Sequence, residues 1–216
     1  MSEHEMTDVK HHLTDPIIAA YAAGTLPEHL ALVVATHVSL CDSCRAALEA
    51  HEAMGGAVLD QTEAVALDDD LLPATLAQLD QPRTEAPVPA RQGIFPGPVM
   101  AALKGHPPRW KAAGMGVKQQ ILCATPEGTV RLLYIPGGVA VPDHGHKGLE
   151  LTLVLQGSFS DETGHFGPGD VEIADDTLEH TPIADPGPAC ICLAATDAPL
   201  RFNSWVPRLA QRFLKI

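Results

Sequence analysis

The segment His37-Val38-Ser39-Leu40-Cys41-Asp42-Ser43-Cys44 carries three side chains that can bind a metal. An α-helix turns every 3.6 residues, so positions i, i+4 and i+7 lie along one stripe. His37, Cys41 and Cys44 are therefore expected on one side of a single helix or of a helix corner. One imidazole and two thiols suit Zn²⁺, which takes four N/S donors in a tetrahedron. The fourth ligand must come from another helix, and the candidates are His4, His11, His12, His29 and His51. His11 and His12 precede Thr14-Asp15-Pro16, which reads as a helix N-cap followed by proline at the first helical position. A histidine held there can fold back onto the second helix, but spacing alone does not separate His11 from His12. His29 and His51 read as solvated helix residues.

A second constellation follows in the C-terminal half. Gly138-x₅-His144-x-His146-x₃-Glu150-x₆-Gly157 places two histidines at a spacing of two, which puts both on one side of a strand. Glu150 opens the next strand after a Lys147-Gly148-Leu149 turn, and His180 follows the Gly167-Pro168-Gly169-Asp170 turn by ten residues. This spacing resembles the first cupin motif throughout, with His180 in the histidine position of the second. The second motif is altered: Asp175, Thr177 and Ala184 stand where many cupins have Pro, Gly and Asn. Three histidines and one carboxylate bind Zn, Mn, Fe, Ni or Cu, and ligand type alone does not choose among them.

Cys190 and Cys192 are two apart on an expected strand and share a face. Their Cα atoms are then about 6.5–7 Å apart, stretched for a disulfide. They read as small wall residues of the cupin or, alternatively, as a redox-sensing pair beside its cavity. Cys123 reads as ordinary strand packing.

The elements that position these groups divide near residues 80–108. Before that stretch the pattern is helical: 16–24, ending at Gly24; 27–40; a third helix capped by Asp42 and stopping at Gly55-Gly56; and Leu71–Leu79 after Asp68-Asp69-Asp70. The last is amphipathic, with few obvious partners in so small a bundle, and reads as a partner-binding helix. Gln81–Ala90 is proline-rich and aperiodic, as a linker should be, with a short helix candidate at Val99–Leu103. Beyond it Val130–Ile135, Glu150–Leu155, Val171–Ala174 and Cys190–Ala194 are short β-rich runs separated by Gly, Pro and Asp. The expected fold is α+β in two domains: a small zinc-stapled all-α helical bundle over 1–80, a linker over 81–108, and an all-β jelly-roll barrel over 109–216.

Charge is concentrated at one end. Residues 1–80 hold 14 acidic side chains against Lys10 and Arg45, a net of −12, while 81–216 hold 13 against 12. Such a field repels nucleic acid and excludes a DNA-reading zinc finger; it steers the helical half toward a basic protein surface. There is no basic-then-apolar leader and no apolar run near 18 residues, so neither secretion nor membrane insertion is expected. Five cysteines, two committed to metal, fit a reducing cytoplasm.

The acidic His-x₃-Cys-x₂-Cys helical region followed by a cupin resembles the zinc-containing anti-sigma factors of the ChrR type. The resemblance runs through His11–Asp15, Ala20–Leu26, Val33–His37, Pro142–His146, Gly148–Gly157 and Cys190–Ser204. It implies that residues 1–80 bind an extracytoplasmic-function sigma factor one-to-one and occlude its polymerase-binding surfaces. It selects His12 over His11 as the fourth zinc ligand beside His37, Cys41 and Cys44. It also implies a second divalent metal, usually zinc, on His144, His146, Glu150 and His180, and a cupin that responds to singlet oxygen or related oxidants. The competing class is a metal-dependent cupin enzyme, a dioxygenase or isomerase, with the helices as an accessory arm; the altered second motif weighs against it.

Overall fold

A computed structural model describes residues 9–79, 89–141, 144–145, 148–176, 179–197 and 201–202, with no side-chain placement for 144–145, 179 and 201–202. His4 and His146 lie outside the described residues.

The first two helices form where the sequence directs. α1 (Asp15–Ala22) begins with Pro16 in its first turn, buries Ile17 and Ile18, and closes at Gly24 (φ 67°), where Thr25 N–H bonds to the Ala20 carbonyl. α2 (Glu28–Val38) buries Leu30, Val33, Val34 and His37, one stripe at i, i+3, i+4 and i+7. α3 (Asp42–Asp60) departs from expectation at both ends. Its N-cap is Cys41, whose Sγ accepts the Cys44 N–H at 3.5 Å; Asp42 is the first helical residue and pairs with Arg45. Gly55-Gly56 do not stop it. Neither glycine takes positive φ, so the ladder runs on to Asp60 at a cost of about 1 kcal/mol per glycine relative to alanine. α4 (Leu71–Leu79) buries none of its residues, whereas the short α5 (Gly97–Ala102) buries Val99 and Met100 and packs on α2.

Antiparallel sheets build the C-terminal half. The largest has six strands in the order β1 (Lys111–Gly114), β2 (Val117–Thr125), β3 (Gly128–Ile135), β11 (Cys190–Thr196), β5 (Glu150–Gln156) and β8 (Val171–Ala174). A second sheet joins β10 (Ile183–Ala184), β6 (Phe159–Ser160) and β7 (His165–Phe166). A third joins β12 (Arg201–Phe202), β4 (His144–Gly145) and β9 (Glu179–His180).

Side chains alternate across a strand, so the large sheet has two distinct faces. Leu132, Leu151, Leu153, Leu193 and Ala195 pack with Leu30, Val33 and Val34 in one core, because α2 lies across β3, β11 and β5. The opposite parity carries Ile135, Val154, Cys190 and Cys192, which form a second core with Phe159, Phe166 and Ala184. Cover on both faces explains why β11 reads as a nearly unbroken apolar run.

His29, expected to be solvated, is 3% exposed. It lies in the first turn of α2, where the helix descends onto the β2–β3 hairpin, and its ring occupies the space that a side chain at Gly128 would need. A Cβ there would stand 2.4–2.6 Å from three ring atoms. Gly128→Ala should therefore cost about 1–3 kcal/mol through overpacking. His29→Ala in that background should recover part of the loss, as read by urea unfolding; no recovery would show that this contact does not set the seating of α2.

Candidate metal centres

The corner between α2 and α3 gathers His12, His37, Cys41 and Cys44, with one ligand atom from each inside a 4.8 Å span. His37 ends α2, Cys41 caps α3 and Cys44 lies in its first turn; His12 arrives from the segment before α1. Its Nδ1 stands 3.2 Å from Cys41 Sγ and 3.7 Å from Cys44 Sγ. Among the described residues, the other candidate histidines are used elsewhere. His11 packs on Phe166 with ring centroids 4.4 Å apart, His29 covers Gly128, and His51 meets Asp15 at 2.9 Å.

The chemistry of this corner fits a metal. His37 Nδ1 lies 3.0 Å from the Gly169 carbonyl, an acceptor only, so Nδ1 carries the hydrogen and Nε2 keeps its lone pair. That Nε2 is buried without a hydrogen-bond partner among the described residues. Burial holds the His37 imidazole down to about 4 despite the Gly169 bond, so it is neutral and able to ligate at ordinary pH. Burial likewise pushes the Cys44 thiol up to about 11, so without a cation beside it Cys44 stays protonated, and a bound metal would favour the thiolate that ligates it. Two sulfurs and two imidazoles in this span are the donor set of a structural Zn²⁺ site.

The second candidate centre is partly described. β4 pairs with β9 so that His144 stands opposite His180, which brings two of the expected ligands into register. Glu150 opens β5, half-buried, and its Oε1 accepts the Thr152 hydroxyl at 3.0 Å. His180 is 1% exposed, and its Nδ1 meets Asp161 Oδ2 at 2.7 Å and Glu172 Oε1 at 2.9 Å. With Nδ1 so engaged, Nε2 is the nitrogen left for a metal while the two carboxylates orient the ring, and Asp161, Glu172 and His180 together also lie close enough to hold an ion themselves. Burial opposes charge on all three groups. The carboxylates nonetheless lift His180 to about 9; bonds from Glu172, Thr163 and His180 hold Asp161 well below the carboxylate range; and Glu172, buried beside that anion, rises to about 8.

Cys190 and Cys192 are buried in β11 with their sulfurs 3.3 Å apart and no disulfide between them. Contact with Cys190, then burial, pushes the Cys192 thiol up, with the Glu172 and Glu150 carboxylates adding to the shift. Cys192 therefore faces the same interior as those carboxylates.

Asp161, Glu172 and Arg131 were not singled out from the sequence. Glu172 and Arg131 were legible in principle, as lone charged residues inside apolar strands. Glu172 lies opposite Thr152 and Arg131 opposite Ala194, so both join the interior face; Arg131 donates to Gln119 and Thr129. Asp161 lies in a loop with no periodicity to betray it.

Exposed apolar residues recur along the chain from Met54 to Leu79. The end of α3, the connection over 61–70 and α4 expose Met54, Val58, Leu59, Val65, Leu67, Leu72 and Leu79, each at least 66%. Asp60, Glu63 and Asp68-Asp69-Asp70 lie among them, all exposed. No single described helix is long and apolar enough to cross a membrane.

A profile of the ChrR cupin-like domain matches residues 100–198. Anti-sigma-E factor ChrR of Cereibacter sphaeroides is 54% identical over 212 residues, 96% of this chain and 99% of that protein. The crystal structure of Rhodobacter sphaeroides SigE in complex with the anti-sigma ChrR contains a chain that superposes with a TM-score of 0.77 at 53% identity, over 88% of this chain and 99% of that one. An RmlC-like cupin protein from Ralstonia eutropha shows a weaker likeness, with a TM-score of 0.41 at 21% identity over 45% of this chain and 68% of the other.

The shifts at the corner fix a pH response for protein stripped of metal. His37 stabilises the fold fully above its ordinary 6.5, a contribution lost as pH falls through about 4. Cys44 stabilises it fully below its ordinary 9.0, a contribution lost as pH rises through about 11. Urea midpoints of the chelated chain should therefore fall on both sides of that window. Cys44→Ser should flatten the alkaline limb, and an unchanged limb would show that another group causes it.

Proposed function

The chain belongs to the ChrR family of anti-sigma factors, and from that premise we propose that its helical half binds and inhibits an extracytoplasmic-function sigma factor. The observation that carries this reading is the exposed stretch Met54–Leu79, in which apolar side chains stand among Asp60, Glu63 and Asp68-Asp69-Asp70. α4 has nine residues and buries none of them. A surface of that extent and make-up calls for a partner of complementary character, apolar at its centre and basic around it. Sigma factors have such surfaces, since they meet polymerase and DNA through basic groups. Occupying them keeps the sigma factor from core polymerase in a one-to-one complex.

His12, His37, Cys41 and Cys44 would hold the N-terminal Zn²⁺, and structural zinc can supply on the order of 10 kcal/mol of folding free energy. It would staple the segment before α1, the end of α2 and the start of α3, the region from which the partner-binding face extends. The C-terminal strands, read as a closed jelly roll, would hold a second divalent ion, read as zinc, on His144, His146, Glu150 and His180. That half serves as the sensor: singlet oxygen or a related oxidant acting there leads to release of the sigma factor. Cys190 and Cys192, in contact and facing the interior, are its candidate redox groups. The setting is cytoplasmic, where sigma factors work. The alternative, a cupin enzyme, is the weaker reading because the buried carboxylates Asp161 and Glu172 are both spent on His180.

Co-expression of residues 1–85 with the sigma factor encoded beside this gene tests the proposal. A stable one-to-one complex, lost on strong chelation, is expected. A folded, zinc-loaded fragment that captures nothing would shift the weight to an enzyme. Leu72→Asp with Leu76→Asp should weaken the complex by about 30-fold or more, as loss of a buried interface anchor does. Unchanged affinity by calorimetry would remove α4 from the interface.

Replacing both Cys190 and Cys192 by Ser should blunt release under singlet oxygen while leaving basal inhibition intact. A full response from that variant would return the pair to wall packing.

A further inference from the structure

The turn between β7 and β8 is tied to Val154 of β5 by two backbone bonds, yet it also bonds to the segment and the helix that carry the N-terminal metal ligands. Asp170 is 4% exposed, and its Oδ1 accepts the backbone N–H groups of Lys10 at 2.7 Å and His11 at 2.9 Å. Its Oδ2 accepts Gly167 N–H at 2.8 Å, which closes the turn itself. Val171 N–H returns a bond to the His11 carbonyl at 3.1 Å, and the His11 ring sits on Phe166. Lys10-His11 are thus laid against the turn, and the next residue is His12. From the other side, the Gly169 carbonyl takes the Nδ1 hydrogen of His37. Gly169 can do this only without a side chain: φ is 94°, and a Cβ would stand 2.8 Å from Val9.

We propose that Asp170 is a positioning residue for the N-terminal zinc, so that the cupin turn Gly167–Asp170 completes a site whose ligands all lie in the helical half. One carboxylate fixes the backbone that delivers His12, and one carbonyl fixes the tautomer and the plane of His37. Partners of this kind hold ligands in place, and their loss typically weakens a metal site by about 10–100-fold. Two residues further on, in β8, Glu172 holds His180, so a single short segment touches both candidate metal centres. The consequence is that zinc leaves the intact chain more slowly than it leaves residues 1–85, which lack this turn. The proposal rests on the reading that His12, His37, Cys41 and Cys44 bind zinc.

The test uses the full-length chain loaded with Co²⁺, whose thiolate charge-transfer band reports only the site holding Cys41 and Cys44. Decay of that band in excess chelator gives the release rate. Asp170→Ala removes all three acceptor contacts and should speed release about tenfold or more. Asp170→Asn keeps an Oδ1 for Lys10 and His11 but not the acceptor for Gly167, so it should release close to the wild-type rate. A purely structural role in the turn would make the two variants alike. Lys10→Pro deletes one donor from the helical side without touching the cupin, and it should accelerate release as well, whether or not Asp170→Ala folds. Wild-type release rates in Lys10→Pro and Asp170→Ala, or in Lys10→Pro alone where the other does not fold, would overturn the proposal. A wild-type chain with no thiolate band would overturn the zinc reading itself and this one with it.

Discussion

The corner between α2 and α3 is the constraint on which the helical half depends. Two buried thiols and the buried His37 imidazole meet the exposed His12 there, and the sequence spends four of its reactive side chains on that one point. A short helix is marginal in water, and α1 has only eight residues. Its place is fixed from both ends: Ile17 and Ile18 enter the shared core, and the preceding segment delivers His12 to the cysteines. α3, by contrast, buries only Cys44 and Leu48 across 19 residues. Its anchorage lies almost entirely in the first two turns, beside the corner, which leaves the remainder free to present a surface.

The six-stranded sheet supplies the other half of the logic. α2 covers one face with aliphatic side chains, so the remaining face must accommodate the polar residues. There Arg131, Glu172 and His180 stand beside Glu150, and burial opposes the charged form of each of the first three. Mutual pairing keeps them: carboxylates lift His180, and Glu150 opposes the loss of charge at Arg131. Cys190 and Cys192 share that interior, while Leu193 and Ala195, of the opposite parity, belong to the helix-facing core. One strand thereby links the surface that carries α2 to the interior that holds the polar cluster.

Much of this was legible in the residues. The i, i+4, i+7 spacing found the corner, though as a helix break rather than one continuous stripe, since Cys41 lies between two helices. Period-two runs located β3, β5, β8 and β11; β1 and β2 escaped because Lys111–Gly114 and Val117–Thr125 are one-sided and half-exposed, without apolar contrast. Gly55-Gly56 looked like a stop, but glycine ends a helix only where the chain takes positive φ, and here it does not. His29 looked solvated because its burial comes from Gly128, almost a hundred residues away. Asp170 and Asp161 were beyond reach for the same reason: each is defined by partners distant in sequence, and neither sits in a periodic element.

Hydrogen exchange of the full-length chain, zinc-loaded and then chelated, tests the structural role of the corner most directly. Amides of α1, the end of α2 and the first turns of α3 should lose protection on chelation, while those of β3, β5 and β11 keep theirs. Equal protection with and without metal in those helices would contradict a zinc-stapled fold and leave hydrophobic packing as sufficient to hold them.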